Sequence, residues 1–569
     1  MYGDRRAGVS IVAALVLGVL LGLAPDAHAQ ADVLPGAKRP ELAPFAEDEE
    51  PSPPLDLPPL PRREGRQGGL AAGVRVVVRE FQVEGSSVFS QQELAELTEP
   101  WTGHAITSED LLEVREAITQ RYVQRGYLTS GALIPDQSIV EGVVTVQVVE
   151  GELTSIEVRG TRRFRPGYFR TRLRRAGRAP VNVLRLETQL QRFQRDPRVR
   201  RVHARLEPGE RRGESVLLLE VEESRFYGLA LAFSNENSPS VGSYTGVSEP
   251  VLWNLAGWGD EWRGKVEIAD GLTEADAAVS VPLPPFDTLV ELHFQYNQDQ
   301  VVEDPFDVLD IENESFTYGF TVTQPLLRSE LQTINVGVTG EYRTSETRLE
   351  VAGGCFAFVA DTSDCKAKVS VVRLFADWVL ATRRNVVAAR SMLSVGVDLL
   401  GSTQRAHGLP DSQYVAWLGQ VQWAHRLPRQ LLSSELLFRA DTQLSDHPLL
   451  GIEKFAVGGL RTVRGYRENQ VVRDNGVVAS GELRLPLWWD RHDRPVVQIA
   501  PFIDYGRSWN HAEGSAAQTL WSVGIGLRVA PFEWLRGELY WGHAFTHVQD
   551  VGGDLQDDGI HFELTLVPF

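Results

Sequence analysis

From Phe226 to the C-terminus the chain repeatedly alternates apolar and polar residues with a period of two. Val290, Leu292, Phe294 and Tyr296 alternate with Glu291, His293, Gln295 and Asn297. Trp521, Val523, Ile525, Leu527 and Val529 alternate with Ser522, Gly524, Gly526, Arg528 and Ala530, and Leu483, Leu485 and Leu487 with Glu482, Arg484 and Pro486. Successive side chains of a strand point to opposite faces, so each run predicts a strand with one apolar face. The links between runs also alternate. Short ones fall at residues 284–287, 326–330, 382–385, 428–430, 490–495 and 531–533; longer polar ones fall at 297–315, 344–366, 443–475 and 543–558. A soluble sandwich has no reason for this long-short order, whereas a transmembrane barrel with short periplasmic turns and long surface loops does. Counting through the links predicts about sixteen antiparallel strands, an even number that returns the C-terminus to the periplasmic side. Trp253, Trp258, Trp488, Trp489 and Trp534 stand beside short links, where an interfacial aromatic girdle would lie.

Upstream the period changes. Residues 74–83 read as a strand and 90–97 as a short helix. A longer helix follows, capped by Thr107 and Ser108, with Leu111, Val114, Ile118 and Tyr122 on its apolar face and Gly126 at its end. Strands at 132–134 and 143–149 complete the unit. The order then repeats: strand 156–158, helix 166–174, helix 184–195 after Asn182, strands 199–206 and 216–221. A β-α-α-β-β unit of about 75 residues, used twice, predicts a docking module. The expected organisation is therefore two α+β domains, residues 74–151 and 152–224, followed by an all-β transmembrane barrel over 225–569.

The N-terminus carries Arg5 and Arg6, an apolar run over 11–24 and Ala27-His28-Ala29, which predicts a cleaved secretory signal over residues 1–29. Residues 30–73 are rich in proline and include the acidic run Glu47 to Glu50, the composition of an extended linker. Export allows Cys355 and Cys365, in one Gly- and Asp-containing loop, to form a small disulfide.

Charge adds one feature. Residues 159–212 hold 18 arginines against 4 acidic residues, an excess of +14, in a precursor whose net charge is -19. Arg162, Arg163, Arg172, Arg174 and Arg175 are the candidate contacts to an acidic passenger or to anionic lipid; the alternative is a merely solvated domain surface. Nucleic acid is not an expected partner of an exported chain. No nucleophile motif, metal-ligand cluster or phosphate-binding loop stands out, so no enzymatic activity and no cofactor are expected.

Several segments resemble a known family. Gly126-Tyr127 through Leu133-Ile134-Pro135-Asp136-Gln137 to Val148-Val149-Glu150-Gly151 is similar to a polypeptide-transport-associated (POTRA) domain. Residues 237–246, with Asn254 and Gly257-Trp258-Gly259-Asp260, resemble the first barrel hairpin of the same proteins. Val463-Arg464-Gly465-Tyr466, preceded by Gly458-Gly459 and placed in the long link between the eleventh and twelfth expected strands, is the most specific match. Together these resemble two-partner secretion transporters of the haemolysin-activator and filamentous-haemagglutinin-transporter type, within the superfamily of the barrel-assembly insertase. The resemblance implies a single-chain outer-membrane barrel with periplasmic POTRA domains that exports a large secreted exoprotein of haemolysin or adhesin type. It also implies that the loop folds into the lumen and that Arg464 engages Asp504 on the strand Phe502-Ile503-Asp504-Tyr505-Gly506. Family members commonly carry an N-terminal plug helix; here Pro35, Pro40, Pro44 and Pro51 leave little room for one. A general barrel-assembly insertase and a passive porin or adhesin barrel are the competing readings; two periplasmic domains instead of a longer array argue against the first, and the second has no reason to carry the paired modules and the Arg464 loop.

Overall fold

The computed structural model describes residues 42–43 and 75–568, apart from 330, 350–365, 406–408, 429–433, 512–515 and 549–551. The expected signal sequence, most of the linker and the Cys355–Cys365 pair lie outside the described residues. The chain forms two compact units, one of Glu49–Phe226 with Asn254–Gly259, the other containing Tyr227–Trp253 and Asp260–Phe569.

The first unit holds two small α+β domains in series. In the first, β1 (Val76–Val77) and β2 (Glu80–Glu84) precede α1 (Gln91–Thr98), β3 (Ala105–Ile106), α2 (Ser108–Gln124), β4 (Gly131–Leu133) and β5 (Val143–Val149). The single strand expected over 74–83 is broken, because the main chain changes partner midway. Val78 bonds to His104 and Gly103, whereas Arg79 donates to the Gly142 carbonyl, so β1 pairs with β3 and β2 with β5. Sequence signals place the helices well. Ser90 and Glu93 cap α1 reciprocally, and Thr107 and Asp110 do the same for α2. Val114, Ile118 and Tyr122 are buried along α2 against Phe81, Val83, Val144 and Val146.

The second domain runs β6 (Glu152–Arg159), α3 (Pro166–Ala176), α4 (Val183–Gln194), β7 (Val199–Pro208) and β8 (Glu214–Glu223), with sheet order β6-β8-β7. The Asn182 side chain accepts from the Leu184 and Arg185 N–H groups to start α4. One clasp recurs in both domains. Glu150, just after β5, accepts from the backbone N–H of Ser87 and Val88; Glu223, ending β8, accepts from those of Arg162, Arg163 and Phe164.

The second unit is a closed barrel of sixteen antiparallel strands. Each strand pairs with its sequence neighbour, and the sixteenth (Ile560–Leu566) closes on the first (Tyr227–Ser234) through the short register Glu563↔Ser234 to Leu566↔Leu231. Closure leaves no open sheet edge, the condition for placing strands in lipid. The fourteenth strand (Gln518–Phe532) shows why the sequence alternates: Trp521, Val523, Ile525 and Leu527 are exposed outward, while Ser522 and Leu520 are buried inward. At the short-turn end Trp488 is exposed and Trp534 stacks on Phe532 at 5.0 Å. Trp258 departs from the girdle expectation. It sits in the segment that clusters with the first unit, 5.0 Å beneath the Arg165 guanidinium.

Candidate functional site: the loop inside the barrel

The link between the eleventh strand (Glu435–Ser445) and the twelfth (Asn475–Trp489) folds inward rather than out to solvent. Its apolar residues drive this. Phe455, Val457, Val463, Tyr466 and Val471 are buried against Met392, Leu418, Val478 and Leu520 of the wall, apolar area that a surface loop would leave in water.

At the tip, Arg464 and Asp504 meet. The Arg464 Nε and Nη2 atoms donate to the two Asp504 carboxylate oxygens at 2.8 and 2.9 Å, and the Arg464 backbone N–H adds a third bond at 3.0 Å. Asp504 lies on the thirteenth strand (Pro495–Trp509), facing inward between the exposed Ile503 and Tyr505. The guanidinium also donates to Glu482 and, at 3.0 Å, to Ser480, both on the twelfth strand, and lies 3.7 Å over the Phe502 ring. Such a bidentate, buried pair is far less screened than one in open water. Arg464 is 4% exposed and Asp504 1%, so the pair is deeply buried.

The neighbours explain the motif. Gly465 has φ +90°, and a methyl there would stand 2.8 Å from the Gly542 carbonyl oxygen, so only glycine fits. Tyr466 donates its hydroxyl to the Trp521 carbonyl and accepts from the Thr546 N–H, each at 3.0 Å. Val463 is fully buried, and a Cβ on Gly506 would fall 2.8 Å from its Cγ2. The structure thus brings Val463, Arg464, Gly465, Tyr466, Asp504 and Gly506 into one place.

Two further arginines were not singled out by sequence. Arg461 forks onto Glu236 (3.1 and 3.2 Å) and reaches Glu563 at 2.6 Å, joining loop, first strand end and last strand. Arg467 pairs with Asp557 and, at 2.7 Å, with Glu303. The signal was present: Arg461, Arg464 and Arg467 recur every third residue in an otherwise mixed loop, and each takes two carboxylates.

The candidate passenger-binding arginines divide. Arg162, Arg163, Arg174 and Arg175 are exposed on the second α+β domain. Arg172 does not belong with them. It is 4% exposed, its guanidinium lies 3.8 Å over the Tyr168 ring, and Nη1 donates to the Tyr168 carbonyl. At position 172 the turn of α3 points inward, so this arginine serves the domain core. Of the proline-rich segment, Leu42 and Ala43 pack against Val386, Ala424 and Leu437 on the inner wall; neither residue is helical.

The family model for haemolysin secretion/activation protein ShlB/FhaC/HecB matches residues 213–529, and a ShlB-type POTRA model matches 76–151. The outer membrane transporter CdiB of Escherichia coli is 25% identical over 504 residues, covering 84% of this chain and 79% of that protein. The heme/hemopexin transporter protein HuxB of Haemophilus influenzae is 20% identical over 426 residues, 73% of this chain and 72% of that one. Among solved structures, Escherichia coli CdiB superposes with a TM-score of 0.63 at 18% identity, covering 89% of this chain and 93% of that one. BamA from Haemophilus ducreyi lacking POTRA domains 1–3 superposes at 0.55 and 12% identity, covering 87% and 100%. With more than half its length under one family model and the sixteen-stranded barrel and POTRA fold in place, the chain belongs to the ShlB/FhaC/HecB haemolysin secretion/activation family, outer-membrane two-partner secretion transporters with periplasmic POTRA domains that export a partner exoprotein.

Proposed function

We propose that the loop at residues 446–474 is the resting gate of the export pore and that Arg464, held by Asp504, is its lock. One observation carries this: an inward-folded loop packs on the inner wall and is tied to it by a buried bidentate ion pair. A gate must hold at rest and release on demand. A charge-assisted fork does both, because an incoming chain that displaces it exchanges one set of polar contacts for another inside a polar lumen.

Capture precedes release in this reading. The α+β sheets offer main-chain edges, β2 and β4 in the first domain and β6 and β7 in the second, to which an unfolded passenger adds as a strand. Arg162, Arg163, Arg174 and Arg175 attract acidic passenger segments to the second domain. The passenger is a large exoprotein of haemolysin or adhesin type, and outer-membrane lipid surrounds the barrel. No nucleotide hydrolysis by this chain enters the scheme; folding outside the cell prevents return.

A clean deletion tests the reading, with culture supernatant and outer-membrane proteins compared by mass spectrometry. Loss of one large exoprotein with other barrels intact is the expected result. Broad loss of outer-membrane barrels would transfer the function to general barrel assembly.

A further inference from the structure

A second buried charge cluster sits at the root of the same loop, away from the Arg464 tip. Glu453 ends a short 3-10 turn, Gly451–Glu453, immediately before the root strand Phe455–Val457. Its carboxylate accepts from Arg343 Nη1 at 2.7 Å and from Arg373 Nη2 at 3.0 and 2.9 Å. Arg343 and Arg373 stand on the seventh strand (Gln332–Leu349) and the eighth (Lys366–Ala381), whereas Arg464 is tied to the twelfth and thirteenth. Arg373 also donates to Glu341 at 3.1 Å and to Ser394 at 2.8 Å, and Arg343 to the Ile452 carbonyl at 3.0 Å. His293 lies 3.6 Å from Glu341, and Tyr414 is buried within the surrounding apolar cluster.

The construction is that of a latch. Glu341, Arg343, Arg373 and Glu453 are each over nine-tenths buried, and two carboxylates balance two guanidinium groups. A charge in such a site holds only while its partners stay, because removing one leaves another buried and uncompensated. Around it, Leu449 and Leu450 pack on Val369, Val371 and Tyr414, and the Gln443 amide donates to both loop limbs, at Glu453 (2.9 Å) and Asp474 (3.2 Å). The two limbs pair as a small hairpin, Phe455↔Arg473 to Val457↔Val471, and Gly458-Gly459 separates it from the tip.

We propose that Glu453 is a positioning residue that pins the loop root to the seventh and eighth strands independently of Arg464, so the gate opens in two separable steps. The tip swings when Arg464 leaves Asp504, while the root stays until Glu453 is displaced. This rests on the reading of the loop as the gate and goes beyond it by dividing the loop into two latched parts.

Site-specific thiol accessibility in the full-length transporter tests it. In a Cys355→Ser, Cys365→Ser background, Leu450→Cys reports on the root and Leu460→Cys on the tip, both buried in the wild type. A membrane-impermeant maleimide is the probe, and heat-modifiable gel migration certifies a folded barrel. Glu453→Gln is expected to raise root labelling about tenfold and leave the tip protected, and Arg464→Ala to do the converse. Arg343→Gln, which removes a partner from the other side, repeats the root effect should Glu453→Gln not fold. Exposure of both reporters by either substitution would mean that the loop moves as one body and would overturn the proposal. A root that stays protected in Glu453→Gln and Arg343→Gln, with the tip exposed in Arg464→Ala, would overturn the second latch and leave the gate reading standing. A tip that stays protected in Arg464→Ala, with the root exposed in Glu453→Gln, would instead remove Arg464 as the lock and leave the root latch standing.

Discussion

Asp504 accepts three hydrogen bonds from one residue, Arg464: two from the guanidinium fork and one from the backbone N–H. The carboxylate therefore fixes both the side chain and the main chain of the loop tip. Glu482 shares the same guanidinium but also accepts from Arg484 at 2.7 Å, so the two acidic residues depend on Arg464 unequally.

That inequality sets the first expectation. Arg464→Ala leaves Glu482 with Arg484 but strips Asp504 of its cation in a buried site, a loss of about 3–5 kcal/mol in loop anchoring. The barrel stays folded, pore openings in planar bilayers become longer and more frequent, and secretion falls about tenfold or more. Arg464→Lys does not rescue it, because an ammonium cannot span Asp504, Glu482 and Ser480 as a planar fork does. Unchanged conductance together with normal secretion in Arg464→Ala would refute the lock.

Gly465 and Gly542 give a second, steric expectation. A Cβ on Gly465 would lie 2.8 Å from the Gly542 oxygen, and one on Gly542 would lie 2.8 Å from the Gly465 nitrogen. Backbone cannot yield as a flexible side chain can, so Gly465→Ala and Gly542→Ala each cost about 1–3 kcal/mol in loop docking. Both obstruct the same contact, so the double variant costs less than the sum of the singles. Protease susceptibility of the loop in intact outer membranes measures this; strict additivity would show that the two glycines do not share one contact.

How much of this was legible in the sequence follows from periodicity. Strands in a barrel repeat every two residues, so Trp521 to Val529 announced both strand and face, and alternating link lengths gave the sixteen strands and their direction. Helix caps are local, so Thr107, Asp110 and Asn182 could be used directly. The break at Val78 and Arg79 was hidden, because it depends on partners at Gly103, His104 and Gly142 that no local pattern encodes. The same reason hid Glu453, and it hid the partners of Arg461, whose three-residue spacing with Arg464 and Arg467 was the one local signal. A lone charge in a long loop reads as solvated until the wall brings Arg343, Arg373, Glu236 and Glu563 to it. Arg172 misled in the opposite sense, since composition counts charge without showing which way a helix turns.

The capping box of α2 predicts a pH response in the first α+β domain. Asp110 is held below the usual carboxylate range, first by the Thr107 backbone N–H and then by the Thr107 hydroxyl. A carboxyl depressed in the folded state adds stability above its unfolded value, and that stability is lost as pH falls through the folded one. Protection of the α2 amides in the intact protein, taken relative to the intrinsic exchange rate at each pH, should therefore be flat near neutrality and fall only as pH drops below the ordinary carboxylate range, about 4. Thr107→Ala removes both donor and acceptor of the hydroxyl and should speed exchange of the first turn at all pH values, by about 1 kcal/mol of protection. Equal exchange in wild type and Thr107→Ala would show that the cap does not hold this helix end.

Arg172 and its exposed neighbours separate folding from recognition. Arg172→Ala deletes a guanidinium stacked on Tyr168 and bonded to its carbonyl, worth about 1–3 kcal/mol, and should loosen the second α+β domain, read as earlier proteolysis within residues 152–226. Arg174 and Arg175 lie in the exposed last turn of α3, so the pair Arg174→Glu and Arg175→Glu should leave proteolysis unchanged. Their effect appears in passenger binding to the purified full-length transporter. Reversing two charges should weaken binding about tenfold at low salt, and the difference should shrink towards nothing near 1 M, where screening acts over about 3 Å. The opposite assignment, in which Arg172→Ala abolishes binding without loosening the domain while the exposed pair is silent, would place the passenger contact in the domain interior and remove the charged-surface account. A defect of equal size at every salt concentration would show that the exposed arginines act through specific bonds and not through their field.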